Sequence, residues 1–147
     1  MKGIRKPNAG SADVELAMVL SLLVLMALGT TDFARVFYAG ITVRSAARAA
    51  VAYGSQDSGT ATNYPAMRNA ATADAADVTG LTATATHYCQ CTDGTTVNCT
   101  SGTCSPGAVA PQMYVSVTAA KTFTTIINYP QVPHTVAMNH TAIMRVQ

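Results

Sequence analysis

The sequence has no tryptophan, three phenylalanines, and charged side chains at only 11% of its 147 residues, against about a quarter in an ordinary soluble domain. A formal net charge of +2 is too small to point to nucleic acid, and no Lys/Arg cluster stands beside stacking aromatics. His-Glu-x-x-His, Gly-x-Ser-x-Gly and phosphate-loop patterns are missing. His87, His134 and His140 are scattered, without a neighbouring acid to orient an imidazole, and read as sheet-face or surface residues. A secreted enzyme is thus left without a catalytic constellation, and no cofactor or metal is implied. The length suits one domain and is too short for two large ones.

What the chain has instead is apolar surface, at 49% of residues, concentrated near its start. Residues 16–29 (LAMVLSLLVLMALG) contain one polar side chain, Ser21. Extended through Thr30 and Thr31 they make a helix roughly 24 Å long at ~1.5 Å per residue, slightly short of a ~30 Å hydrocarbon core. A helix apolar on every side is hard to bury in so small a protein, so this run is read as a membrane span over about residues 14–31. Lys2, Arg5 and Lys6 precede it and mark its cytoplasmic end.

Three readings fit such a start. One is a plain signal anchor, which would make the remainder a membrane-anchored periplasmic binding module. Another is a secretory signal, with Ala27-Leu28-Gly29 as a small-x-small site cut after Gly29. Neither uses Asp13 and Glu15, and a carboxylate at the membrane edge resists insertion. The third places the cut after Gly10. Residues 1–10 become a short basic leader, Ser11 supplies a new amino terminus, and Glu15 becomes the fifth mature residue, which is the processing pattern of type IV prepilins.

Residues 11–54 also carry Val14-Glu15-Leu16-Ala17, then Asp32-Phe33-Ala34-Arg35, then Ala46-Ala47-Arg48-Ala49. On these motifs the chain resembles TadE-like proteins, pilin-like components of Tad (tight adherence, Flp-type) pilus systems, with Leu16 in place of the commoner Phe. The stretches YVSVTAAKTFTTI and HTAIMRV add a softer likeness near the end of the chain. The resemblance implies a minor pilin or pseudopilin, cut by a prepilin peptidase, methylated at its new terminus, and acting with other pilin-like subunits and the pilus assembly machinery. It implies an inner-membrane location with the remainder in the periplasm or on an extracellular pilus. Gly10, Ser11 and Glu15 are the processing residues, and Glu15 would pair with the Ser11 amine of a neighbouring subunit. A carboxylate in a helical assembly is tolerated when a cation meets it; alternatively Glu15, and more simply Asp13, would suit the dipole of the first helical turn.

Apolar residues recur at three- and four-residue steps beyond Asp32, through Phe33, Val36, Phe37, Gly40, Ile41, Ala47, Ala50 and Val51. Without an interrupting proline this predicts one helix over residues 11–54, ended at Gly54. Phe33, Phe37 and Ile41 are candidates for helix–helix or helix–head contact, and Arg44 and Arg48 read as solvated. Residues 55–147 form the head: a polar loop over 55–64, a helix from Pro65 to about Val78, closed by Gly80, and three alternating segments. In the first, Leu81, Ala83, Ala85 and His87 alternate with threonines; the second holds Met113, Val115, Val117 and Ala119. The third holds Val136, Met138, Ala142 and Met144, with Pro130 and Pro133 before it. The expectation is an α+β fold with a three-stranded antiparallel sheet packed on the outer half of the long helix.

All four cysteines lie in residues 89–104, as Cys89, Cys91, Cys99 and Cys104. The spacing is foreign to zinc knuckles, and an oxidising compartment favours two disulfides. Cys89–Cys91 fits bridge geometry poorly, which leaves two pairings; Cys89–Cys104 with Cys91–Cys99 nested inside is the expected one.

Overall fold

The computed structural model describes residues 9–105, 107–126 and 133–147, and side chains from residue 12 onward. Lys2, Arg5, Lys6 and Pro130, and the side chain of Ser11, lie outside the described residues. The elements are α1 (Ala9–Gly54), α2 (Ser58–Thr62), α3 (Tyr64–Asp74), β1 (Thr82–Gln90), β2 (Thr96–Val97), β3 (Gln112–Thr124) and β4 (Thr135–Arg145). The chain divides into two compact units, Met1–Val36 and Phe37–Gln147.

The first unit is the apolar part of α1. Its large apolar residues from Val14 to Met26 are 50–64% exposed, so they cover no core of their own. The hydroxyls of Ser21 and Thr31 are satisfied within the helix: Ser21 donates to the Met18 carbonyl at 2.8 Å and Thr31 to that of Ala27 at 2.8 Å. That internal satisfaction is what a hydrocarbon solvent demands of a polar side chain.

In the second unit, Ala39, Val43, Ala46, Ala47, Ala50 and Val51 form the inward stripe of α1, each at most 4% exposed. Their three- and four-residue steps make one face of the helix, while Arg44 and Arg48 lie exposed. From Val43 onward the stripe joins Met67, Ala71 and Ala75 from the α3 region, Ala85 of β1, and Val115, Val117 and Ala119 of β3 in a single core. Full burial of a residue such as Val115 or Met67 stabilises the fold by about 1.5–3 kcal/mol. Gly54 closes the helix where there is no room for a side chain. A Cβ there would overlap the Met67 sulfur and stand 3.0 Å from Val115 Cγ1.

The sheet is antiparallel in the order β2-β1-β3-β4. The three predicted strands are present, and a fourth, β2, adds two residues that pair Cys89 with Val97 and Gln90 with Thr96. Two residues show no alternation, which is why the periodicity missed them. Along β1, Ala85 and Cys89 are buried and Thr82, Thr84 and Thr86 exposed; along β3, Val115, Val117, Ala119 and Phe123 are buried. On the outer face the hydroxyls of Thr118 and Thr141 meet at 2.7 Å.

The segment expected to be a plain polar loop contains α2. Asp57 caps it, accepting from the N–H groups of Gly59 and Thr60 at 2.7 and 2.8 Å, while Thr60 Oγ1 accepts from the Asp57 N–H at 3.0 Å. The sequence SGTAT has no apolar period to betray a helix. Helix α3 carries Pro65 in its first turn, as expected, but stops at Asp74. Residues 75–78 close as a turn, with the Val78 N–H bonded to the Ala75 carbonyl at 2.9 Å. Gly80 follows at φ 79°, a left-handed conformation that suits glycine.

Candidate processing and assembly segment

Gly10 and Ser11 lie in the first turn of α1, and Glu15 one turn further along. Because the helix begins at Ala9, its first turn holds no acid. Asp13 therefore does not occupy the dipole-stabilised first turn expected of it. Glu15 is exposed, and its neighbours in sequence Val14 and Leu16 are 59% and 64% exposed. The carboxylate thus stands on a surface that is otherwise aliphatic. In water such a site costs nothing; in a low-dielectric surround it requires a cation or a proton.

At the far end of the apolar run, Asp32 is 4% exposed. Arg35 Nη1 lies 3.1 Å from its Oδ1, one helical turn on. A carboxylate so far removed from water needs such a partner. Phe33, Phe37 and Ile41 follow at four-residue steps on one side of α1, exposed at 66%, 56% and 66%. The residues that seat α1 in the core of the second unit are instead Val43, Ala46, Ala47, Ala50 and Val51. Sequence periodicity had found Ala47, Ala50 and Val51, but alanines are too weakly hydrophobic to announce the rest of that face.

The cysteines form Cys89–Cys99 and Cys91–Cys104, with Cα separations of 5.1 and 5.5 Å. This corrects the nested pairing. β2 folds back on β1 with Val97 opposite Cys89, which carries Cys99 to Cys89. Cys104 is held by a separate bridge to Val109 and meets Cys91. With every thiol oxidised, the cysteines offer no thiolate for a metal. Beside them, the carboxylate of Asp93 accepts the Thr95 N–H at 2.9 Å, which holds its pKa below the usual range.

The histidines are separate. His87 stacks on Tyr64 at 5.8 Å between ring centroids and shares a hydrogen bond with its hydroxyl. His134 Nδ1 lies 2.9 Å from Thr125 Oγ1, just beyond the paired ends of β3 and β4. Among the described residues no group of three or more His, Cys, Asp or Glu could hold a metal ion.

A family model described as TadE-like protein matches residues 10–52. Comparison with curated proteins and with solved structures gives no match. The matched stretch takes in Gly10, Glu15, the entire apolar run, the Asp32–Arg35 pair and the alanine face that enters the core. Over that segment the chain is similar to TadE-like proteins.

Proposed function

We propose that the chain is a non-enzymatic minor pilin or pseudopilin that acts in assembly or initiation of a Tad-type pilus. Residues 1–10 are its leader, and a prepilin peptidase cuts after Gly10 on the cytoplasmic side, where Lys2, Arg5 and Lys6 hold the chain. The helix then stays in the inner membrane with the second unit on the periplasmic side, and its other partners are pilin-like subunits and the assembly machinery.

The observation that carries this reading is an exposed Glu15 among exposed aliphatic side chains, five residues beyond Gly10. Cutting there creates a cation at Ser11, and on an adjacent helix that amine answers the carboxylate. The pair favours one axial stagger between parallel helices and penalises others, as single buried polar groups do in coiled coils. Scission also places Asp13 in the first turn of the mature helix, where its charge is favourable. Phe33, Phe37 and Ile41 supply apolar contact along the same packing. An unbroken helix across residues 27–31 gives a secretory cut after Gly29 no extended segment to act on.

Mass spectrometry of the membrane-extracted protein tests the reading. The expected species begins at Ser11 and retains residues 21–29. A mature chain beginning at Thr30 would establish the secretory alternative.

A further inference from the structure

We infer that the outer edge of β4 is a docking strand for an extended, acid-bearing segment of another protein, which adds to the sheet as an antiparallel fifth strand. The direction of the β4 backbone follows from two bonds. The Thr125 N–H donates to the His134 carbonyl at 3.0 Å, and the Val146 N–H to that of Met113 at 2.9 Å. Both pairs continue the β3–β4 register. Hydrogen-bonded pairs alternate along an antiparallel ladder, so the even positions of β4 bond to β3. The odd positions, Thr135, Ala137, Asn139, Thr141, Ile143 and Arg145, turn their N–H and C=O groups away from it.

β4 ends the sheet order, and among the described residues no backbone hydrogen bond reaches those outward groups. The edge is roughly 34 Å long. Proteins blunt such edges with proline, lysine, bulges or short strands; β4 has no proline or lysine and pairs continuously with β3 over its whole length. The opposite edge ends in the two-residue β2.

The strand also selects its occupant. Its ionisable side chains are His140 and Arg145, with no acid, so a carboxylate is favoured opposite Arg145. Val136, Met138 and Ala142 lie half-buried on the core side, while Thr135, Asn139 and Thr141 are exposed on the other. An added strand must therefore alternate apolar and polar residues to match both faces. A second copy of the chain fits poorly. A Cβ on Gly40 would lie 3.9 Å from the Met138 sulfur, and Ser55 Oγ donates to the Met144 sulfur at 3.8 Å. This stretch of α1 thus runs in the same direction as β4. Two copies joined antiparallel through β4 would oppose these helix segments, contrary to the parallel packing of the proposed function.

The probes are two synthetic peptides: the β4 sequence itself, and its Thr135→Glu form. Paired antiparallel about His140, either peptide satisfies all six outward residues, and the second sets a carboxylate opposite Arg145. Hydrogen exchange is followed on the full chain in detergent micelles. The outward amides of Ala137, Asn139, Thr141 and Ile143 exchange fast in the free chain and slow by at least about tenfold with the Glu peptide. The parent peptide slows them less. Thr141→Pro removes one outward N–H while leaving the β3 bonds in place, and abolishes the slowing. Should that variant lose its slow even-position amides, and so its fold, Arg145→Glu carries the test: it must reverse the preference between peptides. Outward amides already slow in the free chain, no slowing by either peptide, or an unchanged preference in Arg145→Glu would each overturn the inference. So would a β4-dependent dimer without added peptide, which would assign the edge to a second copy.

Discussion

The hydroxyl of Tyr38, on α1, donates to the carboxylate of Asp77, in the connection between α3 and β1. The hydrogen bond, and then the negative charge of Asp77, raise the tyrosine pKa above its ordinary value of 10.0. One of the six tyrosines should therefore ionise late in an alkaline absorbance titration, and Asp77→Asn should return it to the common range. Since the folded value is the higher one, the contact contributes fully below the ordinary tyrosine range. Its contribution disappears as pH rises through the folded value. Stability at alkaline pH should accordingly fall more steeply in the parent than in Asp77→Asn.

Glu15→Ala should spare the fold of the second unit and lower incorporation into fibres. Breaking a buried ion pair by removing one partner costs about 3–5 kcal/mol, far more than a surface acid contributes. Fibre yield against membrane-retained protein measures this. Unchanged yield would favour the anchored binding module, for which changes in residues 89–104 should instead abolish partner binding.

Gly54→Ala should destabilise the second unit by about 1–3 kcal/mol through overpacking. The added methyl meets the Met67 sulfur and Val115, both fully buried. Denaturant unfolding of the micellar protein reads the change, and Met67→Ala in the same chain should recover part of the loss relative to the sum of the two single variants.

Non-reducing peptide mapping should recover Cys89 joined to Cys99 and Cys91 joined to Cys104. Cys99→Ser should leave one free thiol, at Cys89, with the other bridge intact. Loss of one bridge should lower stability by about 2–4 kcal/mol.

The long helix was legible because an unbroken apolar run without proline admits little else, and the three long strands because a period of two persists over nine or more residues in each. β2 and α2 were not. Each is too short to carry a period and is fixed by other means: β2 beside the Cys89–Cys99 bridge, α2 by the Asp57 cap. The cysteine pairing depended on β2 and failed with it. Gly10, Ser11 and Glu15 were singled out by their spacing ahead of the apolar run, and their role is part of the proposal. Tyr38–Asp77 and the hydrogen bond from Lys121 to the Thr79 carbonyl join residues about forty positions apart and had no local signal.

The two disulfides bear on the fate of a chain nicked by a protease. A protease that severs the chain anywhere from residue 92 to 98 leaves both bridges spanning the wound, and a cut elsewhere between Cys89 and Cys104 still leaves one. A single clip in this exposed loop would liberate no fragment. The damaged molecule should migrate at full size on a gel until thiol is added, and only then part in two.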